Sequence, residues 1–278
     1  MNDDSPLKLQ GITKNYKEFH LGPVDLEVPR GYVMGLVGAN GAGKTTAIKI
    51  ALGAVLPGNG TVRLIDKSRV GVVLDQPPWP SSWRVRDIAK LVGPFYPDWN
   101  QRVFEELCGW AGVSWRLKVK EFSRGMGMKM QLAVALAHEA ELLVLDEPTS
   151  GLDPLARGEL LDMLSGFMSS ERHSVLFSTH ITSDLDRIAD MVTILDAGKV
   201  IASGSREDLL EAWVMVRGGV ADLTDGLSSR VRGLRRHSVG WEGMLAASDL
   251  GLCGPGVVAE TPSIEELLVH FAKDRKDA

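Results

Sequence analysis

Cysteine is nearly absent from this chain. Cys108 and Cys253 stand 145 residues apart with no CxxC, which excludes a disulfide framework and a cysteine-based structural zinc site and points to a reducing compartment. Aromatic residues make up only 6%. No run of 18 apolar residues occurs, so no membrane-spanning helix is expected. The acidic opening Met1-Asn2-Asp3-Asp4-Ser5-Pro6 lacks an apolar segment, so no secretory leader is expected either. Positive charge is in deficit, with 31 Lys and Arg against 36 Asp and Glu for a net charge of −5. That balance leaves no electrostatic footprint for nucleic acid, and no nucleic-acid partner is expected. Internal repeats and low-complexity tracts are missing as well.

What is present is a chain of 278 residues, 44% hydrophobic and 24% charged, able to bury a core in one large domain or two small ones. Val33–Val37 is a β-prone run followed by a glycine loop, residues 38–46, and then the helix-permissive 47–52. Further apolar runs at 70–74, 142–145, 175–177 and 191–195 alternate with helical periodicity. This rhythm predicts an α/β fold whose mostly parallel sheet is covered on both faces. The period is helical from Trp83 to about Ala140, and Asp153-Pro154 supplies an N-cap and N1 proline for another helix. Asp196-Ala197-Gly198-Lys199 reads as a hairpin turn. Beyond about Glu211 the text is irregular until an amphipathic helix near Ile264 to Ala272.

Gly38-x-x-x-x-Gly43-Lys44-Thr45 has the phosphate-loop spacing, in which backbone N–H groups close around phosphate oxygens at the positive end of a helix. Gly38, Asn40, Gly41, Ala42, Gly43, Lys44, Thr45 and Thr46 are the candidate phosphate contacts. Lys44 is suited to the β and γ oxygens, and Thr45 to Mg²⁺. Asp146-Glu147 emerges at the carboxyl end of a buried run, where open α/β sheets bind ligands. Phosphoryl transfer needs one carboxylate beside the metal and a second group to orient water, which assigns Asp146 to Mg²⁺ and Glu147 to the water. Gln76 is either an ordinary strand-end glutamine or a carboxamide touching both metal and water. His180 closes a third strand, beside the place expected for the γ-phosphate. Phe122-Ser123-Arg124-Gly125-Met126 precedes a helical segment Met128 to Ala140, and a serine with a glycine amide at a helix start makes a second anion site. A single nucleotide rarely requires both, so the economical arrangement is two chains head to tail, each helix start completing its partner's site.

In this combination the chain resembles an ABC-type ATPase, the nucleotide-binding subunit of an ABC transporter, over about residues 7 to 205. The motifs run in the family's order: Walker A at 38–46, Q-loop at Gln76, signature at 122–126, Walker B at 142–147, D-loop at 150–153 and switch histidine at His180. The resemblance implies a P-loop NTPase core of mostly parallel sheet with an antiparallel β subdomain, a small helical subdomain at about 77–140 and a C-terminal extension. The cassette would occupy 1–211 and the extension 212–278. ATP and Mg²⁺ are the implied ligands. The implied roles are catalysis by Glu147, His180, Gln76 and Lys44, metal contact by Thr45, Gln76 and Asp146, and adenine stacking by Tyr16. Ser123, Gly125 and Asp153 join the nucleotide contacts. Implied partners are integral-membrane transporter subunits and a second cassette, in a homodimer or heterodimer, at the cytoplasmic face of the membrane. The signature departs from the usual LSGGQ, with Arg124 for the first glycine and Met126 for the glutamine.

FSRGM, DEPTSGLDP and FSTHITSDLDRIAD are similar to cassettes of Gram-positive exporters for phenol-soluble modulins and of the acetoin-utilisation group. This implies export of a peptide, drug or other amphipathic compound. The alternative is a soluble ABC-type ATPase with no transport role. A chromosome-maintenance ATPase would need a long coiled coil before the signature, but Gln76 and Ser123 are only 47 residues apart. A P-loop kinase would not need the signature, D-loop and switch histidine together. Trp79, Trp83, Phe95, Tyr96 and Trp99 are either a contact surface for a membrane partner or the core of the helical subdomain. Arg230, Arg232, Arg235 and Arg236 read either as a solvated loop or as a contact for lipid head groups.

Overall fold

The computed structural model describes residues 4–274. The chain opens with a hairpin of β1 (Leu7–Asn15) and β2 (His20–Val28), then β3 (Val33–Val37), the phosphate loop and α1 (Lys44–Ala51). β4 (Asn59–Leu64) returns to pair with β1, giving an antiparallel sheet in the order β2-β1-β4. β5 (Val70–Val73) leads into a helical layer of α2 (Val85–Val92), α3 (Gln101–Trp110) and α4 (Arg124–Ala137). Then come β6 (Leu142–Asp146), α5 (Pro154–Phe167), β7 (Ser174–Thr179), α6 (Thr182–Ile188), β8 (Met191–Asp196), β9 (Lys199–Ser205) and α7 (Arg206–Glu211).

The central sheet runs β5-β6-β7-β3-β8-β9, parallel except for β9. Its parallel strands are mostly buried on both faces, which is why they read as unbroken apolar runs, while the antiparallel edge strand β9 is only partly buried. Successive residues alternate between two cores, as the period of a strand requires. Val33, Val37, Leu143, Leu145, Val175 and Phe177 join α4, α5 and α6 on one side. Met34, Leu36, Leu142, Val144 and Leu176 join α1, β1 and β2 on the other. β8 and β9 meet through Ala197-Gly198, both at positive φ, as a two-residue hairpin turn requires.

The irregular text after Glu211 folds into β10 (Trp213–Gly218), a short α8 (Asp225–Ser228), β11 (Arg232–His237), β12 (Gly240–Ala246), β13 (Val258–Glu260) and α9 (Ile264–Asp274). The strands make an antiparallel sheet in the order β11-β12-β10-β13. Met215, Met244, Ile264, Leu267 and Phe271 belong to the same apolar cluster as α5 and α6, so this region packs against those helices. Of the arginine run, Arg232, Arg235 and Arg236 lie on β11 rather than in a loop, while Arg230 sits in the turn before it, 3.9 Å from Asp249. Arg232 lies over the rings of Trp213 and Phe271, Arg235 pairs with Glu242 at 3.2 Å, and Arg236 donates to Ser228.

Trp79, Trp83 and Trp99 pack against the core of the helical layer around Phe104 and Met130, and Tyr96 stacks on His138. Phe95 alone of that group stands out, at 81% exposed. α4 begins at Arg124, four residues before the sequence reading placed it, because the Ser123 hydroxyl accepts the Met126 N–H and caps it. Burial pushes the Cys108 thiol up to about 12, so that sulfur is a packing group rather than a nucleophile. Among the described residues no helix is long and apolar enough to cross a membrane.

Candidate functional site

The phosphate loop joins β3 to α1 in a backbone path that only glycine fits at two points. A Cβ on Gly38 would sit 2.1 Å from the Leu195 carbonyl oxygen, and Gly43 has φ +110°. The loop wraps Lys44, which is 6% exposed and donates from Nζ to the carbonyls of Gly38 (2.7 Å) and Ala39 (3.2 Å). Residues 40–46, with Phe19 and Glu147, line a groove of about 410 Å³. Phe19 was not picked out from the sequence. Its ring abuts Gly43, and its one signal was a second aromatic on the β1–β2 turn. Tyr16 is half exposed, 6.4 Å from the Phe19 ring, and flanks the groove rather than lining it.

The topology places β7 between β6 and β3, so the phosphate loop, Asp146-Glu147 and His180 leave three adjacent strand ends. Asp146 is paired in register with Ser178, whose hydroxyl donates to it at 3.1 Å. Burial pushes the Asp146 carboxyl above the ordinary carboxylate range. Hydrogen bonds from Thr45 and Ser178 oppose that rise, Glu147 adds to it, and Lys44 opposes it again. Ser178 also escaped the sequence reading, a lone polar residue inside a buried strand being its only mark.

Glu147 adopts φ +53°, a costly conformation for a residue with a Cβ. Its N–H donates to the Ser178 carbonyl at 3.0 Å. The carboxylate is held from both sides. One oxygen lies 3.1 Å from Lys44 Nζ, an ion pair off the hydrogen-bond axis. The other lies 2.7 Å from His180 Nδ1 and accepts the His180 backbone N–H at 3.3 Å.

Thr45 and Asp146 bring a hydroxyl and a buried carboxylate together, a hard oxygen pair suited to Mg²⁺, which keeps few protein ligands and takes the rest from phosphate and water. Among the described residues no group of three His, Cys, Asp or Glu could hold a metal, so no all-protein metal cage competes with that reading.

The remaining sequence candidates stay outside the groove. Gln76 is exposed beyond β5, with no hydrogen bond to Asp146 or Glu147. Ser123 caps α4, and Gly125 faces Leu152 across van der Waals distance. Arg124 pairs with Asp75 while its stem covers Gly151. Asp153 caps α5 by accepting the N–H groups of Leu155 and Ala156, each at 3.0 Å. A larger groove of about 510 Å³ lies between β10, β12 and α9, but its arginines, Arg217 and Arg235, are paired with Glu242, Glu260 and Glu266.

The family model described as "ABC transporter" matches residues 21–150, and an AAA domain model matches 116–185. The chain is 33% identical over 205 residues to the lantibiotic transport ATP-binding protein SrtF of Streptococcus pyogenes, covering 70% of this chain and 89% of that one. It is 32% identical over 212 residues to the bacitracin transport ATP-binding protein BcrA of Enterococcus faecalis, covering 70% and 68%. A solved ATP-binding subunit of an ABC transporter superposes with a TM-score of 0.64 at 27% identity, covering 74% of this chain and 92% of the other.

Proposed function

Since this chain belongs to the ABC transporter ATP-binding family and is an ATPase, we propose that it drives export of a peptide, drug or other amphipathic compound through separate integral-membrane subunits. The relatives named for bacitracin and lantibiotic transport support the cargo class. The narrower likeness to phenol-soluble-modulin and acetoin-utilisation cassettes rests on motif wording and belongs to the same proposal. The cassette, residues 1–211, would sit at the cytoplasmic face with its helical subdomain at about 77–140 toward the membrane partner, and 212–278 would serve as an extension docked on it.

The observation that carries the reading is that the chain has two helix starts suited to phosphate and its groove takes in only one. Residues 40–46 and Glu147 line the groove, while the capped start of α4 at Ser123 and Gly125 is absent from it. A second cassette facing head to tail supplies the missing end, and the dimer closes only when nucleotide bridges the two. Phosphate oxygens arriving in the groove compete with Glu147 for Lys44, which frees one carboxylate oxygen of Glu147 to orient water. His180 keeps the other oxygen in place, and the loop amides meet charge without rearranging. Thr45 and Asp146 would hold Mg²⁺, which supplies charge neutralisation on the phosphates when bound. Tyr16 and Phe19 give the adenine an aromatic wall, Asp153 joins the nucleotide contacts, and Gln76 would touch both metal and water.

The test is Glu147→Gln. It is expected to bind ATP as the parent does, to lose turnover by about 100-fold or more, and to accumulate as a dimer in light scattering with ATP. Hydrolysis at the parental rate, or a strictly monomeric state with ATP both alone and with the membrane partners, overturns the reading.

A further inference from the structure

Asp184 is a fully buried carboxylate that the phosphate-handling machinery described above does not use. It lies in the first turn of α6, four residues past His180. One of its oxygens accepts the Thr149 hydroxyl at 2.6 Å, and Thr149, itself buried, follows Glu147 by two residues. The other oxygen accepts the Arg157 Nε at 2.5 Å. Arg157 belongs to the first turn of α5, the helix capped by Asp153, and its Nη2 donates on to Ser183 at 2.7 Å. One side chain thus joins the loop after β6, the start of α5 and the start of α6, three segments with no ladder of their own between them. None of Thr149, Arg157 and Asp184 lines the groove.

We infer that Asp184 is a positioning residue for hydrolysis: through Thr149 and Arg157 it fixes the separation of Glu147 from His180 and the placement of the Asp153 turn. The local demands make such an anchor necessary. Glu147 is held at positive φ, a conformation that persists only when its surroundings over-determine it. The Thr149 hydroxyl is the tie on its far side, as the Ser178 carbonyl is on the near side. A buried carboxylate with a guanidinium and a hydroxyl on separate elements is rigid, because loosening either leaves a buried oxygen of Asp184 without its donor. The phosphate loop hangs from β3 and α1 and takes no part in this network, so the network governs turnover and not the capture of nucleotide.

The inference rests on the proposed role of Glu147 and is tested beside it in the full-length chain. Thr149→Val keeps the side chain's shape and removes only the hydroxyl, and Thr149→Ser keeps the hydroxyl. Expected for Thr149→Val is a kcat lower by roughly tenfold or more, with the affinity for a fluorescent ATP analogue within about twofold of the parent. Thr149→Ser is expected to recover most of the rate. Asp184→Asn, which keeps the size of the side chain and loses its charge, is expected to show the same split. If Thr149→Val hydrolyses at the parental rate while Glu147→Gln is inactive, the inference fails and the functional reading stands. If kcat and nucleotide affinity fall together and Thr149→Ser does not rescue, the network is only a fold support and the inference also fails. If Glu147→Gln itself turns over normally, the functional reading is what fails.

Discussion

Burial holds the Asp146 carboxyl above the ordinary carboxylate range, and the donors around it only partly offset that. A carboxyl whose folded pKa is raised stabilises the fold below the ordinary carboxylate range, and that contribution is lost as pH rises through the raised value. At neutral pH the ionised group is therefore a cost to the nucleotide-free, metal-free chain. Asp146→Asn is expected to melt at a higher temperature than the parent at pH 7.5 in metal-free buffer, with the gap narrowing toward pH 4, and to lose Mg²⁺-dependent turnover. Calorimetry at the two pH values checks it. A lower melting temperature for the variant at pH 7.5 would show that the Ser178 and Thr45 hydrogen bonds outweigh the burial. The same local logic explains why Lys44 and Glu147 hold one another across 3.1 Å: each is a buried or half-buried charge that needs a counter-ion until phosphate arrives.

At the scale of elements, what could be read from the sequence was what lies contiguous along the chain. The loop 38–46 and the strand ends at Asp146 and His180 are each set by a few neighbouring residues, so their positions followed from spacing. Two kinds of feature escaped. Contacts between distant segments, such as Phe19 on Gly43 and Asp184 on Thr149 across 35 residues, leave no local pattern. The C-terminal strands escaped because their glycines serve close approach rather than turning: a Cβ on Gly243 would meet Val231 at 2.2 Å. α4 starts four residues before the helical period shows because Gly125 and Gly127 mask its first turn in the sequence while the Ser123 cap holds it. That cap separates two roles of one residue. Ser123→Ala removes the hydroxyl that accepts the Met126 N–H and is expected to cost about 1 kcal/mol of stability. Ser123→Asp preserves the cap and the stability, but it places a negative charge where the partner's nucleotide phosphate is proposed to bind. The expected result is an unchanged denaturation midpoint together with a several-fold rise in the ATP concentration needed to dimerise the Glu147→Gln background. An ATP requirement that does not rise would remove Ser123 from the proposed phosphate site.

At the scale of the whole molecule, the region after Glu211 shares its core with α5 and α6. α9 crosses α6, and Leu267 is buried in the same cluster as Leu185, Ala189 and Leu164. The first turn of α6 also carries Asp184, so the helix that packs against α9 is the one that follows His180. A shared apolar core makes unfolding cooperative across the boundary, since neither side can open without exposing the other's surface. Leu267→Ala removes a fully buried side chain and is expected to destabilise by about 2–5 kcal/mol. That loss should appear as one lowered transition for the entire chain, with amide hydrogen exchange of β10 and β12 and of the central-sheet strands moving together. Two separated transitions, with the cassette's unchanged, would mean that α9 rests on α6 without sharing its stability, and the extension would then be free to act as an independent module.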